Sequence, residues 1–218
     1  MRIGSFFRRL FHPRAGQAQQ TPTPAKPPPP APPASDPWQG GSGFDGPVKV
    51  RFQKLDGFSA AEQAKLTQAA GVLERVLNSV EFRDAVLNHR FQGQAGYADG
   101  SGLSNAQIYQ AIRDGKERFE QTADGEADFN LNLRNFSWFQ RNVVGYTTES
   151  SDTITLNRRF FSNYTPAEVA SNLCHEWLHK LGFEHDFQST SRRPDSVPYA
   201  IGDLVEKLAG QQLTPLPR

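Results

Sequence analysis

Residues 175–185 read HEWLHKLGFEH, and this segment constrains the fold more than any other part of the 218-residue chain. Three histidines, His175, His179 and His185, stand in the spacing H-E-x-x-H-x-x-G-x-x-H. Residues four apart lie one turn apart on the same face of an α-helix, so the first two imidazoles can reach one ion. Neutral imidazoles suit zinc, and three of them plus a water form a catalytic zinc site. The spacing predicts one zinc ion held by these histidines.

Glu176 lies about 100° around the helix from the first histidine. In that position its carboxylate can approach a metal-bound water. It lies too far around the helix to be a third metal ligand from the same helix. A carboxylate in that position can take a proton from the water, so Glu176 is the predicted general base.

The chain has five histidines, and three fall in these eleven residues. Five fixed positions coincide by chance in on the order of one in 10⁵ such chains.

Sequence signals predict both ends of the helix that carries this motif (the motif helix). Thr165 can cap its N-terminus, Pro166 suits the first helical position, and Glu168 completes a capping box. Gly182 can adopt the left-handed conformation that ends a helix and turns the chain, which would bring His185 back to the other two ligands. On the helical wheel an apolar arc of about 140° should pack on the core, next to the metal face. The arc comprises Ala170, Leu173, Cys174, Trp177, Leu178 and Leu181.

The segment resembles the extended zinc motif of the metzincin endopeptidases. The resemblance covers residues 165–186, and by the order of elements 47–210. It implies that the three histidines bind zinc, that Glu176 is the general base and that the substrate is a peptide or protein. Asp186, which follows the last histidine, would have a structural role through an ion pair or hydrogen bond.

The chain departs from the family at one point. Metzincins carry a methionine in a tight turn beneath the zinc, but this chain has only Met1. In the segment DSVPY, Val197 or Pro198 would occupy that position. The family methionine does not bind the metal, so its absence puts membership of a subfamily in question more than it does zinc binding. Tyr199 would match the tyrosine that follows the turn and could act in catalysis; alternatively, it is an amphipathic residue at a helix start.

Two other residues are alternative candidates for the third ligand. Glu206 lies on a later helix, as in gluzincins, but Gly210 stands where their E-x-x-x-D pattern needs Asp. Asp186 could ligate as carboxylates do in some zincins. His185 fits the motif spacing and is preferred.

Composition divides the chain into three parts. Residues 1–46 include TPTPAKPPPPAPPA and GGSGFDG and are expected to form a disordered tail and linker. Residues 47–212 should form one domain, and 213–218 a C-terminal tail. Five of the 24 basic residues precede the first acid, Asp36, so the rest of the chain is mildly acidic and no nucleic-acid partner is expected.

The N-terminus, MRIGSFFRRLFHPR, lacks the unbroken apolar run of a Sec signal peptide, and no later stretch could span a membrane. A cytoplasmic protein, or one exported by another route, is expected, and a monomer. Aromatic residues at helical spacing opposite Arg8 and Arg9 would allow a weak membrane-surface contact; a tail without structure is the alternative. The single cysteine, Cys174, is expected to be a buried thiol without a disulfide.

The hydrophobic periodicity predicts an α+β domain, a twisted mixed sheet packed on the motif helix. His89 is expected to be a charge partner at a helix C-terminus. The metzincin resemblance implies that Ser151–Asn157 is the edge strand that pairs with an extended substrate; alternatively, it is simply a strand. The predicted strands are Val48–Phe52, Phe129–Leu133, Val143–Thr147 and Thr153–Leu156. The predicted helices span residues 59–77, 79–87, 104–119, 166–181 and 198–208.

The predicted function is that of a zinc-dependent endopeptidase. Two alternatives stay open. One is a zinc-binding homologue that is catalytically degenerate or acts on a non-peptide amide. The other is an interaction module whose proline-rich arm binds SH3- or WW-like domains.

Overall fold

The computed structural model describes residues 44–120, 122–140, 142–147 and 151–217. They form an α+β fold with a mixed sheet and helices, as expected. The predicted N-terminal tail and its membrane-surface segment lie outside the described residues, except for residues 44–46. Within the described ranges no helix is long and apolar enough to cross a membrane.

Within the described residues, six strands and six helices follow one another. The strands are β1 (Lys49–Asp56), β2 (Arg90–Phe91), β3 (Gln94–Ala95), β4 (Glu126–Arg134), β5 (Gly145–Tyr146) and β6 (Thr153–Asn157). The helices are α1 (Ala60–Leu77), α2 (Val80–Leu87), α3 (Asn105–Asp114), α4 (Arg158–Asn163), α5 (Pro166–Lys180) and α6 (Val197–Ala209). Short 3₁₀ turns span Trp138–Gln140 and Arg193–Asp195.

The main sheet has the strand order β1-β4-β6-β5. β1, β4 and β6 are parallel, and β5 runs antiparallel to β6. The segment Ser151–Asn157 was predicted as the substrate-facing edge, and this was wrong, because β6 lies between β4 and β5. The edge is β5, whose Gly145 and Tyr146 pair with Leu156 and Thr155. Periodicity identifies a strand but does not reveal which strands flank it.

The helices begin where their caps predict. Ser59, Ser104 and Thr165 each accept a hydrogen bond in a complete capping box. α3 ends at Asp114, however, not near Phe119 as predicted. Gly115 follows with φ +65°, and a Cβ there would lie 2.4 Å from the Glu126 carbonyl oxygen, so glycine permits both the turn and the close approach to β4.

The prediction for His89 was also wrong. α2 ends at Leu87, and His89 stacks on Tyr97 with ring centroids 4.0 Å apart. Burial lowers the pKa of His89, which disfavours the charged form that a helix partner would need.

Helix α5 lies at the centre of the fold. It packs against α1 and α6 and contacts β4 and β5. The predicted apolar arc is buried except for Leu181, which is partly exposed, but burial extends around the whole helix to Asn172, His175 and Glu176. Cys174 is buried and free, as expected. The helix that carries the motif is therefore enclosed, and its polar side chains need partners inside the protein.

Lys180, at the end of α5, is the centre of a buried ionic network. Its side chain is 1% exposed, and Nζ lies 2.5 Å from Glu117 Oε2 and 2.7 Å from Asp152 Oδ1. Glu117 also accepts a hydrogen bond of 2.7 Å from Trp177 Nε1. The network joins the end of the motif helix to the loop after α3 and to the start of β6.

The same side chains complete the hydrogen bonding of β4. β6 begins opposite Asn130, so it does not pair with β4 at Asp128. There the Asp128 N–H donates to Glu117 Oε1 at 2.9 Å, and Lys180 Nζ donates to the Asp128 carbonyl. Buried backbone groups without a strand partner are thus satisfied by a salt bridge.

We expect Lys180→Met to lower the free energy of unfolding by about 3–5 kcal/mol, because it leaves the Glu117 carboxylate buried without its cation. Adding Glu117→Gln should recover part of this loss, since a neutral amide still accepts from Trp177. Denaturant unfolding measures both effects. Lys207→Met, an exposed change on α6, is the control and should shift stability by less than about 0.5 kcal/mol; an equal effect of the two lysine variants would contradict the role of the network.

Candidate metal centre

A Schellman turn ends helix α5 and sets the direction of the chain toward His185. The Phe183 N–H donates to the Leu178 carbonyl and the Gly182 N–H to the His179 carbonyl, both at 3.0 Å. Gly182 has φ +94°, the left-handed conformation that glycine adopts without a steric penalty. Phe183 and Leu178 are both buried and supply the apolar contact typical of this motif.

The three histidines of the motif meet at one point. The ring centroids lie 5.1 Å apart for His175 and His179, 5.3 Å for His175 and His185, and 4.9 Å for His179 and His185. One nitrogen from each ring lies within 4.8 Å of the others. The turn after α5 therefore brings the third ring to the two on the helix, and the group could hold a metal ion.

Backbone carbonyls orient two of these rings. His179 Nδ1 lies 2.7 Å from the Phe183 carbonyl oxygen, and His185 Nδ1 lies 3.1 Å from that of Asp186. A carbonyl only accepts, so each Nδ1 carries the proton and each Nε2 keeps a lone pair. This is the arrangement by which proteins fix the tautomer of a metal-binding histidine.

His175 makes the corresponding interaction with the backbone of Pro198, at the start of α6. Proline has no N–H, so the histidine donates and the Pro198 carbonyl accepts. This residue lies in the DSVPY segment, and Val197 beside it is fully buried. The segment therefore contacts the site through a backbone carbonyl.

The environment keeps two of the imidazoles neutral. Burial, together with neighbouring His179 and His185, lowers the pKa of His175 well below its usual range. Burial also lowers the pKa of His185 to about 4. For His179 burial acts in the same direction, but the hydrogen bond that its ring donates to Glu184 and the charge of Glu176 outweigh burial and raise the pKa of His179. A neutral imidazole is the form that binds metal, so the site is preorganised at two of its three donors.

Glu176 is the carboxylate beside the three rings. It is 5% exposed, and its Oε2 accepts a hydrogen bond of 2.8 Å from the Thr147 hydroxyl. Burial raises the pKa of Glu176, although His179 and Thr147 oppose the shift. A carboxylate with a raised pKa is a better proton acceptor near neutral pH. Thr147 follows edge strand β5, so this strand holds the carboxylate in place.

Tyr199, in the first turn of α6, lies against the histidine cluster. Its ring centroid is 4.6 Å from that of His175 and 4.8 Å from that of His185. The Arg193 guanidinium lies 4.7 Å from the Tyr199 ring centroid. Burial raises the pKa of Tyr199 to about 12, so the hydroxyl keeps its proton at neutral pH and can donate a hydrogen bond.

The alternative third ligands do not join the described metal-capable group, which contains His185 and neither carboxylate. Asp186 instead accepts a hydrogen bond from the Thr190 hydroxyl, the structural role predicted for it. Glu206 lies on α6, where burial and the charge of Glu168 raise its pKa. The chemistry of the His175 group is thus that of imidazole nitrogens alone.

Sequence reasoning missed three residues around the site. The sequence predicts Thr147 only as the end of a strand, because its contact with the helix depends on the sheet order. Glu184 stands at a variable position of the motif, yet its Oε2 lies 3.4 Å from His179 Nδ1. Arg193, on the turn before α6, had no signal beyond its proximity to the DSVPY segment.

Comparisons with protein-family models, curated proteins and solved structures find no match to this chain. The geometry on its own establishes three converging imidazoles with a buried carboxylate and a tyrosine ring beside them.

We expect Gly182→Ala to lower the free energy of unfolding by about 1–2 kcal/mol, because a Cβ disfavours the left-handed conformation of the turn. It should also weaken metal binding, since the turn positions His185. Gly71→Ala is the matched control. An added Cβ meets no atom within 4 Å at either glycine, but Gly71 lies inside α1, where alanine should stabilise by about 0.5–1 kcal/mol. Thermal unfolding and zinc titration measure both effects; equal stabilities would show that the turn tolerates a side chain.

We expect His185→Ala to reduce zinc affinity by more than the roughly 10–100-fold that follows loss of an outer partner of a ligand, because it removes a metal donor. Competition with a chromogenic chelator measures the affinity. Glu206→Gln should bind zinc as the unmodified chain does. The opposite ranking of these two variants would reassign the third ligand to the carboxylate on α6.

Proposed function

We propose that the chain is a zinc-dependent endopeptidase with a metzincin-like fold. The observation that carries the proposal is the convergence of three imidazoles beside a buried carboxylate. Three neutral imidazoles are a donor set that zinc favours, and an additional coordination position would stay open for water. His175, His179 and His185 would hold the ion.

When bound, zinc would bring the pKa of a coordinated water toward neutrality and polarise the carbonyl of a substrate. Glu176 would accept the proton of that water and pass it to the leaving amine. Thr147 would hold the Glu176 carboxylate in position through its hydrogen bonds. The Tyr199 hydroxyl would donate a hydrogen bond to the oxyanion that develops on the substrate.

The substrate would be an extended peptide paired with edge strand β5. Tyr146 on this strand is 41% exposed, and the next residue, Thr147, bonds the proposed general base. A substrate peptide that pairs with β5 as an additional strand would bring its backbone close to the Glu176 carboxylate. Trp138 and Phe139, 69% and 90% exposed, precede β5 and would offer apolar contacts to the substrate.

The order of the elements supports the metzincin comparison. Parallel strands and an antiparallel edge strand precede the motif helix, and a turn and a helix follow it. The replacement of the methionine by Val197 or Pro198 departs from the family. For this reason a zinc-binding protein without peptidase activity is the second candidate. The proline-rich interaction module depends on residues outside the described ranges.

We expect Glu176→Gln to retain one zinc per chain and to lose about 10²–10⁴-fold in turnover, because the amide cannot accept the proton. The assay is cleavage of a peptide library by the zinc-loaded full chain, with and without chelator, alongside metal analysis. Glu206→Gln, on the neighbouring helix, is the control and should cleave normally. Wild-type cleavage by Glu176→Gln would remove that carboxylate from the mechanism. Zinc binding without any cleavage by the unmodified chain would favour the second candidate.

A further inference from the structure

Three carboxylates are gathered at the start of β4, on residues that the proposed catalysis does not use. Glu126 and Asp128 alternate with the buried Ala127 and Phe129, so they lie on the sheet face opposite the core. Asp124 precedes the strand, and its Oδ1 accepts a hydrogen bond of 2.8 Å from the Glu126 N–H. One oxygen from each carboxylate lies within 4.8 Å of the others.

The charge of this cluster is only partly compensated. Arg51 on β1 forms an ion pair of 2.9 Å with Glu126, which offsets one of three negative charges. Lys180, the other cation near Asp128, already pairs with Glu117 and Asp152. Like charges held this close repel each other unless a cation lies between them.

The side chain of Asp128 gives independent evidence that a ligand binds at this cluster. The residue is 4% exposed, and among the described residues its Oδ1 is buried without a hydrogen-bond partner. Gln53 donates to the same carboxylate, and hence to its other oxygen. Desolvation and the charges of Asp124 and Glu126 raise the pKa of Asp128. A buried carboxylate oxygen without a donor is costly and calls for a bound partner.

We propose that Asp124, Glu126 and Asp128 form a second metal site, which binds a hard divalent cation of the size of Ca²⁺. Oxygen donors select such ions over zinc. Ca²⁺ lies about 2.3–2.6 Å from its ligands, so a single ion can contact oxygens up to about 4.6–5.2 Å apart. Mg²⁺, at about 2.0–2.1 Å, spans only about 4.2 Å. The three carboxylate oxygens lie within 4.8 Å of one another, which is within the reach of an ion of the size of Ca²⁺, and water completes its coordination.

The site acts on the stability of the sheet. Asp128 is the residue whose backbone N–H and carbonyl bind Glu117 and Lys180. An ion that holds its side chain fixes this part of β4, and with it the network that ends the motif helix. The site therefore supports the histidine centre from a distance and takes no part in its chemistry.

The experiment is calcium titration of the full chain, stripped with chelator and reloaded with one equivalent of zinc. Calorimetry should detect one Ca²⁺ per chain with Kd of about 10⁻⁵–10⁻³ M, and Mg²⁺ at least about tenfold weaker. At a Ca²⁺ concentration about one hundred times Kd, Tm should rise by about 5–10 °C. Asp128→Asn and, separately, Asp124→Asn should weaken Ca²⁺ binding at least about tenfold.

Asp84→Asn is the control, because Asp84 is an exposed acid paired with Arg83 on α2, and it should bind Ca²⁺ as the unmodified chain does. Two outcomes would overturn the proposal. One is that calorimetry detects no heat of binding and Tm does not change at Ca²⁺ concentrations up to about 10 mM. The other is unchanged Kd in both cluster variants, which would indicate an adventitious ion elsewhere. Either variant that folds suffices for the comparison.

Discussion

The enclosure of helix α5 is the constraint on which the rest of the structure depends. A helix buried on every side cannot leave its polar side chains to water, yet α5 carries His175, Glu176 and Lys180. Each of them is satisfied from another element, by the Pro198 carbonyl, by Thr147 and by Glu117 and Asp152. The surrounding loops and strands are therefore tied to the helix by specific contacts as well as by apolar packing.

The histidine centre shows how such contacts prepare a site. Backbone carbonyls take one N–H of each imidazole, so the remaining nitrogen of each ring is directed by the fold before any ion arrives. Burial lowers the pKa of His175 and His185, which reduces the proton competition that a metal would otherwise face. Glu184 instead raises the pKa of His179, so metal binding by this one donor remains sensitive to pH.

Much of the local structure was predictable, because helix caps and turns depend on nearby residues. The helix starts near Ser59 and Ser104, the cap at Thr165 and the reversal at Gly182 were predicted correctly. The errors concerned long-range relations. α3 ends early because Gly115 passes close to β4, and the edge strand is β5 because of pairings that periodicity does not encode. The roles of Thr147 and Lys180 were missed for the same reason.

The sequence by itself determined the motif helix, its caps and the spacing that lets three imidazoles reach one point, since these follow from helix geometry and from glycine's conformational freedom. Only the tertiary structure decided how the helix is enclosed, which carbonyls fix the ring tautomers and which carboxylates gather at the start of β4. Such relations join residues far apart in the chain, and their energies arise from burial and charge proximity, which exist only once the elements have packed.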